Sequence, residues 1–553
     1  MNTIIIDGDL YLAMVRSGAA NLERNREIVN DLNVFPVPDG DTGTNMSMTI
    51  MSAANEVLAL DELDMRSLCK AISSGSLRGA RGNSGVILSQ LFRGFSKVIK
   101  TEDILTVDIL TEAAQRAVET AYKAVMQPKE GTILTVARAA ADKAIELSET
   151  TDDILVFMEA VVEESKDALA RTPDMLPVLK EAGVVDSGGE GLYMVLSGAY
   201  AYLSGQDVDI SMTLDEAPKK EESKFVYKLE FELIPGSHNT HEERRDLRNF
   251  MKSMGDEGHL EREGDVYLGR LITNDPGRIL TMALRNGVLA SVNIVNTKLS
   301  GNNAGDSAKT VIKAQEAVSK TKKEPDNTPQ PKPLKDIGVV AVSAGEGMSH
   351  IFKDLGADCV VEGGQTMNPS TEDIMEAIKS VNAREVIVLP NNKNIILSAR
   401  QASEMMEDVT VVVLPTKTLP QGISALISFV PSENAEENAK RMTEEIAIVR
   451  SGEITYAVRD TTVDGQTIQK GDYMGIGDDG ILAIEKKIDK TILGMLQSMI
   501  DEDSALVTLY FGADVKDKDA KKLYEKVKKR YPKLEVELQD GGQPVYYYIL
   551  SVE

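Results

Sequence analysis

The sequence predicts three domains of different fold class: a mostly helical domain, a small α+β domain and an α/β domain. Over residues 1–206, apolar residues recur at three- and four-residue spacing, which is typical of amphipathic helices. Residues 225–318 combine short alternating strands with a helical segment. In residues 336–553, apolar strands alternate with helices before a run of hairpin-like strands, which indicates a doubly wound parallel sheet and a second lobe.

Two segments without apolar periodicity separate these regions. Residues 211–224 are charged, and residues 320–336 contain four prolines in a polar stretch. Both compositions are typical of linkers. A chain of 553 residues is also too long for a single core, in agreement with three domains.

Charge and composition exclude several classes of protein. The net charge of −26 argues against binding nucleic acid, because affinity for the phosphate backbone needs a basic surface. The two cysteines, Cys69 and Cys359, are too few for a disulfide framework and fit a reducing compartment. No apolar stretch is long enough to span a membrane, and the first residues do not resemble a signal peptide. We therefore expect a cytoplasmic protein without a membrane span.

An acidic turn is the first candidate site. In "NVFPVPDGDTGTN" (33–45), Asp39 and Asp41 stand one residue apart after two stiffening prolines, Pro36 and Pro38. Two carboxylates this close repel each other unless a cation or a proton lies between them, and carboxylate oxygens are typical ligands of Mg²⁺. A solvated turn explains the same residues equally well. An EF-hand is excluded, because Thr44 stands at its sixth position, where glycine is needed.

A glycine-rich segment, "GSLRGARGNSGVILSQL" (75–91), precedes an apolar helix and is the second candidate. Its backbone N–H groups are suited to an anion, with Arg81 adding charge, but a tight helix crossing needs the same small residues. It matches neither the Walker motif nor the dinucleotide fingerprint. Two further turns, "PKEGTILTV" (128–136) and "GVVDSGGEGL" (183–192), are more typical of structural connections when taken alone.

Together, and in this order, the four segments resemble the nucleotide-binding L domain of dihydroxyacetone kinases, and more closely the domain that opens the bacterial fatty acid kinase catalytic subunit. The order of the later domains is also similar, with a middle domain containing "TNDPG" (273–277) and a DegV-like C-terminal domain. The resemblance implies an all-α helical barrel that binds ATP and two Mg²⁺ ions at one end.

The same resemblance assigns residues by motif. It implies that Asp39 and Asp41 are the catalytic metal ligands and that Asn33 stands where related kinases have a third, acidic ligand. It also implies that the nucleotide phosphates are contacted by Thr44, Asn45, Ser84 and Gly85. The nucleotide pocket is then expected to be lined by Thr132 and Leu134.

The implied reaction is phosphorylation of a fatty acid carried by a separate DegV-like binding protein, giving an acyl phosphate for phospholipid synthesis. A fatty acid carboxylate is already ionised at neutral pH, so no general base is needed. The four histidines all lie outside the helical domain, which excludes a histidine-based mechanism there. A homodimer is compatible with the resemblance, and the sequence does not determine the number of protomers.

The sequence departs from the family in the middle domain. Many members have a Cys and a His-x-His pair there that resemble a zinc site, but the matching positions are Lys228, Arg270 and Ile272. We expect no zinc, because none of these side chains is a soft-metal ligand. A metal site formed by His238 and His241 is disfavoured, because no Cys or third His lies nearby.

In the C-terminal domain, the loops "VSAGEGMSH" (342–350) and "GGQTMNPSTED" (363–373) follow strands. We interpret them as ordinary loops of a doubly wound sheet, with Ser370 and Asp373 capping a helix. If this domain once bound lipid, its present role would be to dock the carrier.

Two alternatives to a fatty acid kinase stay open. One is a phosphotransferase with the same ATP domain acting on dihydroxyacetone or a small polyol. The other is a regulator or scaffold that binds nucleotide without turnover. Asp39 and Asp41 argue against the second, although nucleotide binding alone would also use them.

Overall fold

The computed structural model describes most of the chain: residues 5–34, 39–58, 60, 64–206, 208, 227–235, 247, 250–251, 255–263, 266–273, 276–296, 334–365, 367–457, 461–463, 466–478 and 480–553. Outside these ranges lie Pro36, Pro38, the linker at 211–224, residues 320–333 of the second linker, and the pair His238 and His241. No helix among the described residues is long and apolar enough to cross a membrane.

The chain divides into two compact units. One joins residues 1–212 to residues 332–553, and the other comprises residues 213–331. The first unit therefore contains both the helical domain and the C-terminal domain, and each unit is described by itself below.

The described part of the first 206 residues is helical. The helices are α1 (Gly8–Arg24), α2 (Arg26–Asp31), α3 (Thr42–Leu58), α4 (Met65–Gly79), α5 (Gly82–Ile99), α6 (Val107–Ala124), α7 (Ile133–Ser148), α8 (Ile154–Met175), α9 (Pro177–Ala182) and α10 (Ser187–Leu203). Several begin at an aspartate or threonine whose side chain accepts a hydrogen bond from a backbone N–H of the first turn, which supplies a partner for a donor that the helix cannot satisfy itself.

The longer helices close into a ring. Helices α3 to α8 pack in order against their neighbours, α8 packs against α10, and α1 contacts both α10 and α3. Two clusters of buried apolar side chains fill the interior, one around Leu68, Ile72 and Ile99 and the other around Met46, Ile50 and Leu88. The domain is thus a closed barrel of helices: apolar periodicity predicts the helices, and the resemblance implies the barrel.

The described part of the C-terminal domain contains two large sheets and a small antiparallel pair of strands, β10 (Thr461–Val463) with β11 (Gln466–Ile468). The first is the predicted parallel sheet, of order β6-β5-β7-β8, and the second is a mixed six-stranded sheet of order β13-β12-β9-β16-β14-β15. The predicted cap at Ser370 and Asp373 is confirmed as a reciprocal capping box. The strands are β5 (Lys335–Ser343), β6 (Cys359–Glu362), β7 (Ala383–Leu389), β8 (Thr410–Val413), β9 (Arg450–Tyr456), β10 (Thr461–Val463), β11 (Gln466–Ile468), β12 (Tyr473–Gly477), β13 (Gly480–Glu485), β14 (Leu506–Phe511), β15 (Glu535–Asp540) and β16 (Tyr548–Val552).

Helices cover both large sheets of this domain, and α12 to α16 accompany the parallel strands. Their bounds are α12 (Glu346–Asp354), α13 (Thr371–Val381), α14 (Ile396–Met405), α15 (Leu419–Ile427), α16 (Ala435–Ile448), α17 (Ile488–Met499) and α18 (Asp517–Arg530).

The helical and C-terminal domains meet through buried polar contacts. Gln401 on α14 donates a hydrogen bond to the carbonyl oxygen of Leu77 at 2.7 Å and accepts one from Gln90 at 2.9 Å. The backbone N–H of Thr371, which begins α13, donates to the carbonyl oxygen of Ala80 at 3.0 Å. These contacts fix the start of α13 against the glycine-rich segment before α5.

The middle unit is an antiparallel sheet of order β2-β3-β1-β4 with a helix, α11 (Pro276–Asn286). Its strands are β1 (Tyr227–Pro235), β2 (Gly255–Glu263), β3 (Val266–Thr273) and β4 (Gly287–Asn296). Strand β2 has a charged sequence without alternation and was not expected. Lys228 pairs directly with Ile272, and Arg270 pairs with Glu230, so the three positions compared above with a zinc site lie on the adjacent strands β1 and β3. Their side chains are not zinc ligands.

Gly94 marks a close helix crossing of the barrel, between α5 and α6. A Cβ atom there would lie 2.5 Å from the carbonyl oxygen of Arg116 and 2.6 Å from the Cα atom of Ala117. Because both are backbone atoms, Gly94→Ala should lower the free energy of unfolding by about 1–3 kcal/mol. The matched control is Gly494→Ala on α17, where the nearest atom would be 3.5 Å away. This control should gain about 0.5–1 kcal/mol from helix propensity. Thermal unfolding of both variants measures the difference, and equal melting temperatures would contradict the crossing geometry.

Candidate active site

Four helix N-termini converge on one cavity of about 410 Å³. The cavity is lined by Thr42 of α3, Ser84 of α5, Ile133 of α7 and Ser187 of α10, each in the first turn of its helix. A helix N-terminus offers unpaired backbone N–H groups and a partial positive charge, both of which favour an anion. The barrel therefore presents an electrostatic environment suited to phosphate at this end.

The acidic turn forms one wall of the same cavity. Gly40 adopts a positive φ of 67°, which lets the chain reverse between the two aspartates. Asn33 accepts a hydrogen bond from the backbone N–H of Asp41 at 3.1 Å, and Asn45 donates its own N–H to the carbonyl oxygen of Asp41 at 2.8 Å. These contacts fix the backbone of Asp41 at the start of α3, and the residue is only 9% exposed.

The two carboxyl groups perturb each other. Burial, and then the negative charge of Asp41, raises the pKa of Asp39 well above its ordinary value. Burial likewise raises the pKa of Asp41, against hydrogen bonds from Asn45, Asp39 and Asn368 that lower it. Since the charged forms are disfavoured in the chain alone, the pair favours either a proton or a cation between its oxygens.

The C-terminal domain supplies amide donors to both carboxylates. Asn394 and Gln365 donate to Oδ2 of Asp39 at 2.5 and 3.1 Å, and Asn368 donates to Oδ2 of Asp41 at 2.5 Å. The interpretation of residues 363–373 as an ordinary loop is therefore wrong, because this loop contacts both aspartates. The loop at 342–350, by contrast, packs within its own domain, with Gly347 against the carbonyl oxygen of Asp540.

Asp186 is a third acidic residue at the cavity. Its carboxylate accepts a hydrogen bond from the N–H of Gly189 at 2.7 Å and caps α10. Burial raises the pKa of Asp186 to about 6, against the hydrogen bonds from the backbone of Gly189 and Ile133. The turn at 183–192 thus has the expected structural role and also contributes to the cavity wall.

Basic and apolar side chains of the C-terminal domain also line the cavity. Lys393 donates to the carbonyl oxygen of Asp478 at 3.2 Å, and Arg400 contacts the sulfur atom of Met126 across the domain contact. A thioether is a weak partner for a guanidinium group, so Arg400 is available to an anionic ligand. Ile396 and Leu397 add apolar surface, as Ile133 and Leu134 do from the barrel. The cavity lining thus combines acidic, basic and apolar side chains.

The structure brings together most residues that the sequence singled out. Lining the cavity are Asn33, Asp39, Asp41, Asn45, Ser84, Thr132 and Leu134. Thr44 and Gly85 do not line it. Thr44 is held by two hydrogen bonds with the Asn30 side chain, and Gly85 packs against Thr49 at a close crossing of α3 and α5. Gly85 is therefore explained by the close packing of two helices, and not by a phosphate contact.

Sequence reasoning missed the site residues that come from the C-terminal domain. Gln365, Asn368, Lys393, Asn394 and Arg400 follow the acidic turn by more than 300 positions. Asparagine and glutamine in loops are too common to indicate a site by themselves. A weak signal was present in "NNKN" (391–394), a polar cluster directly after a buried parallel strand, where ligands of α/β sheets usually bind.

The donor set fits Mg²⁺. Asp39 and Asp41 offer carboxylate oxygens, and Asn33 and Asn45 offer amide oxygens beside them. The Oδ1 atom of Asn368 is buried beside Asp41 and has no hydrogen-bond partner among the described residues. Because this oxygen makes no hydrogen bond, the Asn368 amide can turn its oxygen toward a cation at Asp41 and give up only its contact with Asp41.

Comparison with protein families assigns the two domains that form this cavity. Residues 36–201 match the DAK2 domain, and residues 338–553 match the FakA-like C-terminal domain of fatty acid kinase. The protein YloV of Bacillus subtilis is 42% identical over 572 residues, covering all of both chains. The chain belongs to the FakA-like fatty acid kinase family. An uncharacterized family relative from Staphylococcus haemolyticus is 40% identical and covers 99% of both chains.

Two solved structures are similar to parts of this family member. The dihydroxyacetone kinase from C. freundii, in complex with AMP-PNP and Mg²⁺, covers 36% of this chain and 35% of its own, with 17% identity and a TM-score of 0.29. The DegV family protein Cg2579 from Corynebacterium glutamicum covers 39% of this chain and 97% of its own, with 12% identity and a TM-score of 0.29.

Replacing one carboxylate tests the electrostatics of the acidic turn. Below the ordinary Asp pKa of 3.8, Asp39 is protonated in both the folded and the unfolded chain. Above that pH the unfolded chain ionises first, so the raised pKa of Asp39 makes folding progressively less favourable as pH rises. Without metal, Asp39→Asn should therefore raise the free energy of unfolding near pH 8 by about 1 kcal/mol, which is roughly 1 °C in melting temperature for a unit of this size.

The control for this experiment is Asp142→Asn, which alters an exposed aspartate on α7. It should change neither the melting temperature nor its pH dependence. The gain from Asp39→Asn should vanish near pH 3.5, and Mg²⁺ should stabilise the wild type more than this variant. A lower stability of Asp39→Asn at pH 8 in EDTA would contradict the assigned repulsion.

Proposed function

We propose that this protein is an ATP-dependent kinase that phosphorylates a fatty acid held by a separate fatty-acid-binding protein and gives an acyl phosphate for phospholipid synthesis. The observation that supports it best is the convergence of four helix N-termini on a cavity walled by Asp39 and Asp41. Phosphoryl transfer depends mainly on positioning and on stabilising phosphate charge, and this arrangement supplies both.

Each group at the cavity has a role in this proposal. Asp39 and Asp41, assisted by Asn33, would hold two Mg²⁺ ions, which when bound would neutralise charge on the phosphates. Asn45 and Ser84 orient the phosphate tail from the starts of α3 and α5, together with Lys393 and Arg400 of the C-terminal domain. Thr132 and Leu134, at the start of α7, contact the base. The acceptor carboxylate forms a bond to the γ-phosphorus atom as the bond from that atom to ADP breaks.

The identity of the acceptor rests on the family. The match of the C-terminal residues to the FakA-like domain of fatty acid kinase supports a fatty acid as acceptor and a DegV-like carrier as partner. The DAK2 match to the helical domain equally suits a phosphotransferase acting on dihydroxyacetone or a polyol, which is the second candidate. The two free cysteines suit a reducing cytoplasm, where ATP is available.

One assay separates these functions. The full chain is incubated with ATP, Mg²⁺ and a lipid-loaded DegV-like carrier, and acyl phosphate is trapped as the hydroxamate. We expect hydroxamate that depends on both the carrier and ATP. Turnover of dihydroxyacetone without hydroxamate would favour the second candidate, and nucleotide binding without turnover would favour a regulator or scaffold.

Within this assay, Asp41→Asn should lower acyl phosphate formation by at least about a hundredfold, because a neutral amide replaces a charged metal ligand of similar size. The exposed Asp142→Asn serves again as the matched control and should retain wild-type turnover. Circular dichroism establishes that both variants are folded. Full activity of a folded Asp41→Asn variant would contradict the assignment of Asp41 to the metal.

A further inference from the structure

Three amide side chains of the C-terminal domain donate hydrogen bonds to the two carboxylates, and they differ in what their oxygen atoms do. The oxygen of Asn394 accepts a hydrogen bond from Asn83 at 3.1 Å. The oxygen of Gln365 accepts one from Asn392 at 2.8 Å. The Oδ1 atom of Asn368 is buried and has no partner among the described residues. Of the three amides, Asn368 is therefore the one whose oxygen loses no hydrogen bond among the described residues when the amide group turns.

The position of Asn368 is fixed by the helical domain. Its carbonyl oxygen accepts a hydrogen bond from Nη1 of Arg81 at 2.8 Å, and the residue is only 2% exposed. Pro369 follows and restricts the backbone further. The side chain therefore stays beside Asp41 whichever way its amide group is turned.

A half-turn of this amide about the Cβ–Cγ bond exchanges Nδ2 and Oδ1. In the observed orientation Nδ2 lies 2.5 Å from Oδ2 of Asp41. After the half-turn, Oδ1 would occupy nearly that position. Neighbouring oxygen ligands of an octahedral Mg²⁺ ion are about 2.9 Å apart, so the two oxygens would have nearly the separation of adjacent ligands.

We propose that Asn368 is a metal ligand contributed by the C-terminal domain, so that the cation held by Asp41 binds at a site built by two domains. This inference rests on the proposed function, from which it takes the cation. In the chain without metal, the Asn368 amide donates a hydrogen bond to the Asp41 carboxylate, in the place that the cation would otherwise take. With metal, its oxygen faces the cation, and metal binding then holds the C-terminal domain against the end of the barrel.

The alternative is that Asn368 acts only as an interdomain donor. The two roles predict opposite signs for metal affinity. A donor competes with the cation for Asp41, so its removal would strengthen metal binding, whereas removal of a ligand would weaken it. Asn394 is the matched control, because it makes an equally short contact with Asp39 but its oxygen is already bonded to Asn83.

The experiment measures Mn²⁺ binding to the full chain by electron paramagnetic resonance, without nucleotide and with ADP. Mn²⁺ takes the same oxygen ligands as Mg²⁺. We expect Asn368→Ala to weaken Mn²⁺ binding roughly tenfold or more, and Asn394→Ala to bind Mn²⁺ at least as tightly as the wild type. Asn368→Asp restores an oxygen ligand of the same shape, so it should bind Mn²⁺ at least as tightly as the wild type.

Thermal unfolding in EDTA establishes that the variants are folded. If Asn368→Ala does not fold, Asn368→Asp decides between the two roles. If Asn368 is only a hydrogen-bond donor, the added carboxylate should disrupt the domain contact, and Mg²⁺ should not restore the melting temperature of this variant. If a folded Asn368→Ala variant binds Mn²⁺ with wild-type affinity, the role of Asn368 as a ligand is overturned and the proposed function is not affected. Failure of the wild type to bind Mn²⁺ would overturn the proposed ATP site as well, and absence of acyl phosphate with normal Mn²⁺ binding would overturn only the acceptor.

Discussion

The repulsion between Asp39 and Asp41 is the constraint on which the candidate site depends. Two buried carboxyl groups on one turn are unfavourable unless positive charge or hydrogen-bond donors surround them. The chain provides both, through the first turns of four helices and through amides from the C-terminal domain. A bound cation would satisfy the same requirement more completely, since its charge acts on both carboxylates at once.

The architecture follows from placing this turn at the end of a closed barrel. Ring closure by α1 and α10 brings helix starts that are far apart in sequence to one end, where their dipoles add. The C-terminal domain then covers that end through buried polar contacts, such as those of Gln401. Buried polar contacts are specific because each unpaired partner would be costly. The position of this domain over the cavity is thus well defined within the unit that contains both domains.

The sequence predicted the parts of the structure that have local signals. Apolar periodicity predicted the helical domain, and apolar strands alternating with helices predicted the parallel sheet. The spacing of Asp39 and Asp41 alone fitted a solvated turn equally well, and the resemblance of the four segments favoured a nucleotide site there. The sequence did not predict strand β2, whose charged residues lack alternation, or the role of residues 363–373. Asn368 and Asn394 reach the site only through the packing of two domains, and no local pattern encodes such a contact. Gly85 illustrates the reverse case, because a glycine suited to a phosphate cradle instead allows two helices to cross closely.

The central claim is that the cavity between the barrel and the C-terminal domain binds ATP through divalent metal at Asp39 and Asp41. A crystal structure of the full chain with a non-hydrolysable ATP analogue and Mn²⁺ tests it most directly, because anomalous scattering locates Mn²⁺ independently of the rest of the structure. We predict Mn²⁺ within bonding distance of both aspartates, with the phosphates at the first turns of α3 and α5. Mn²⁺ bound elsewhere, or an analogue outside this cavity, would contradict the account.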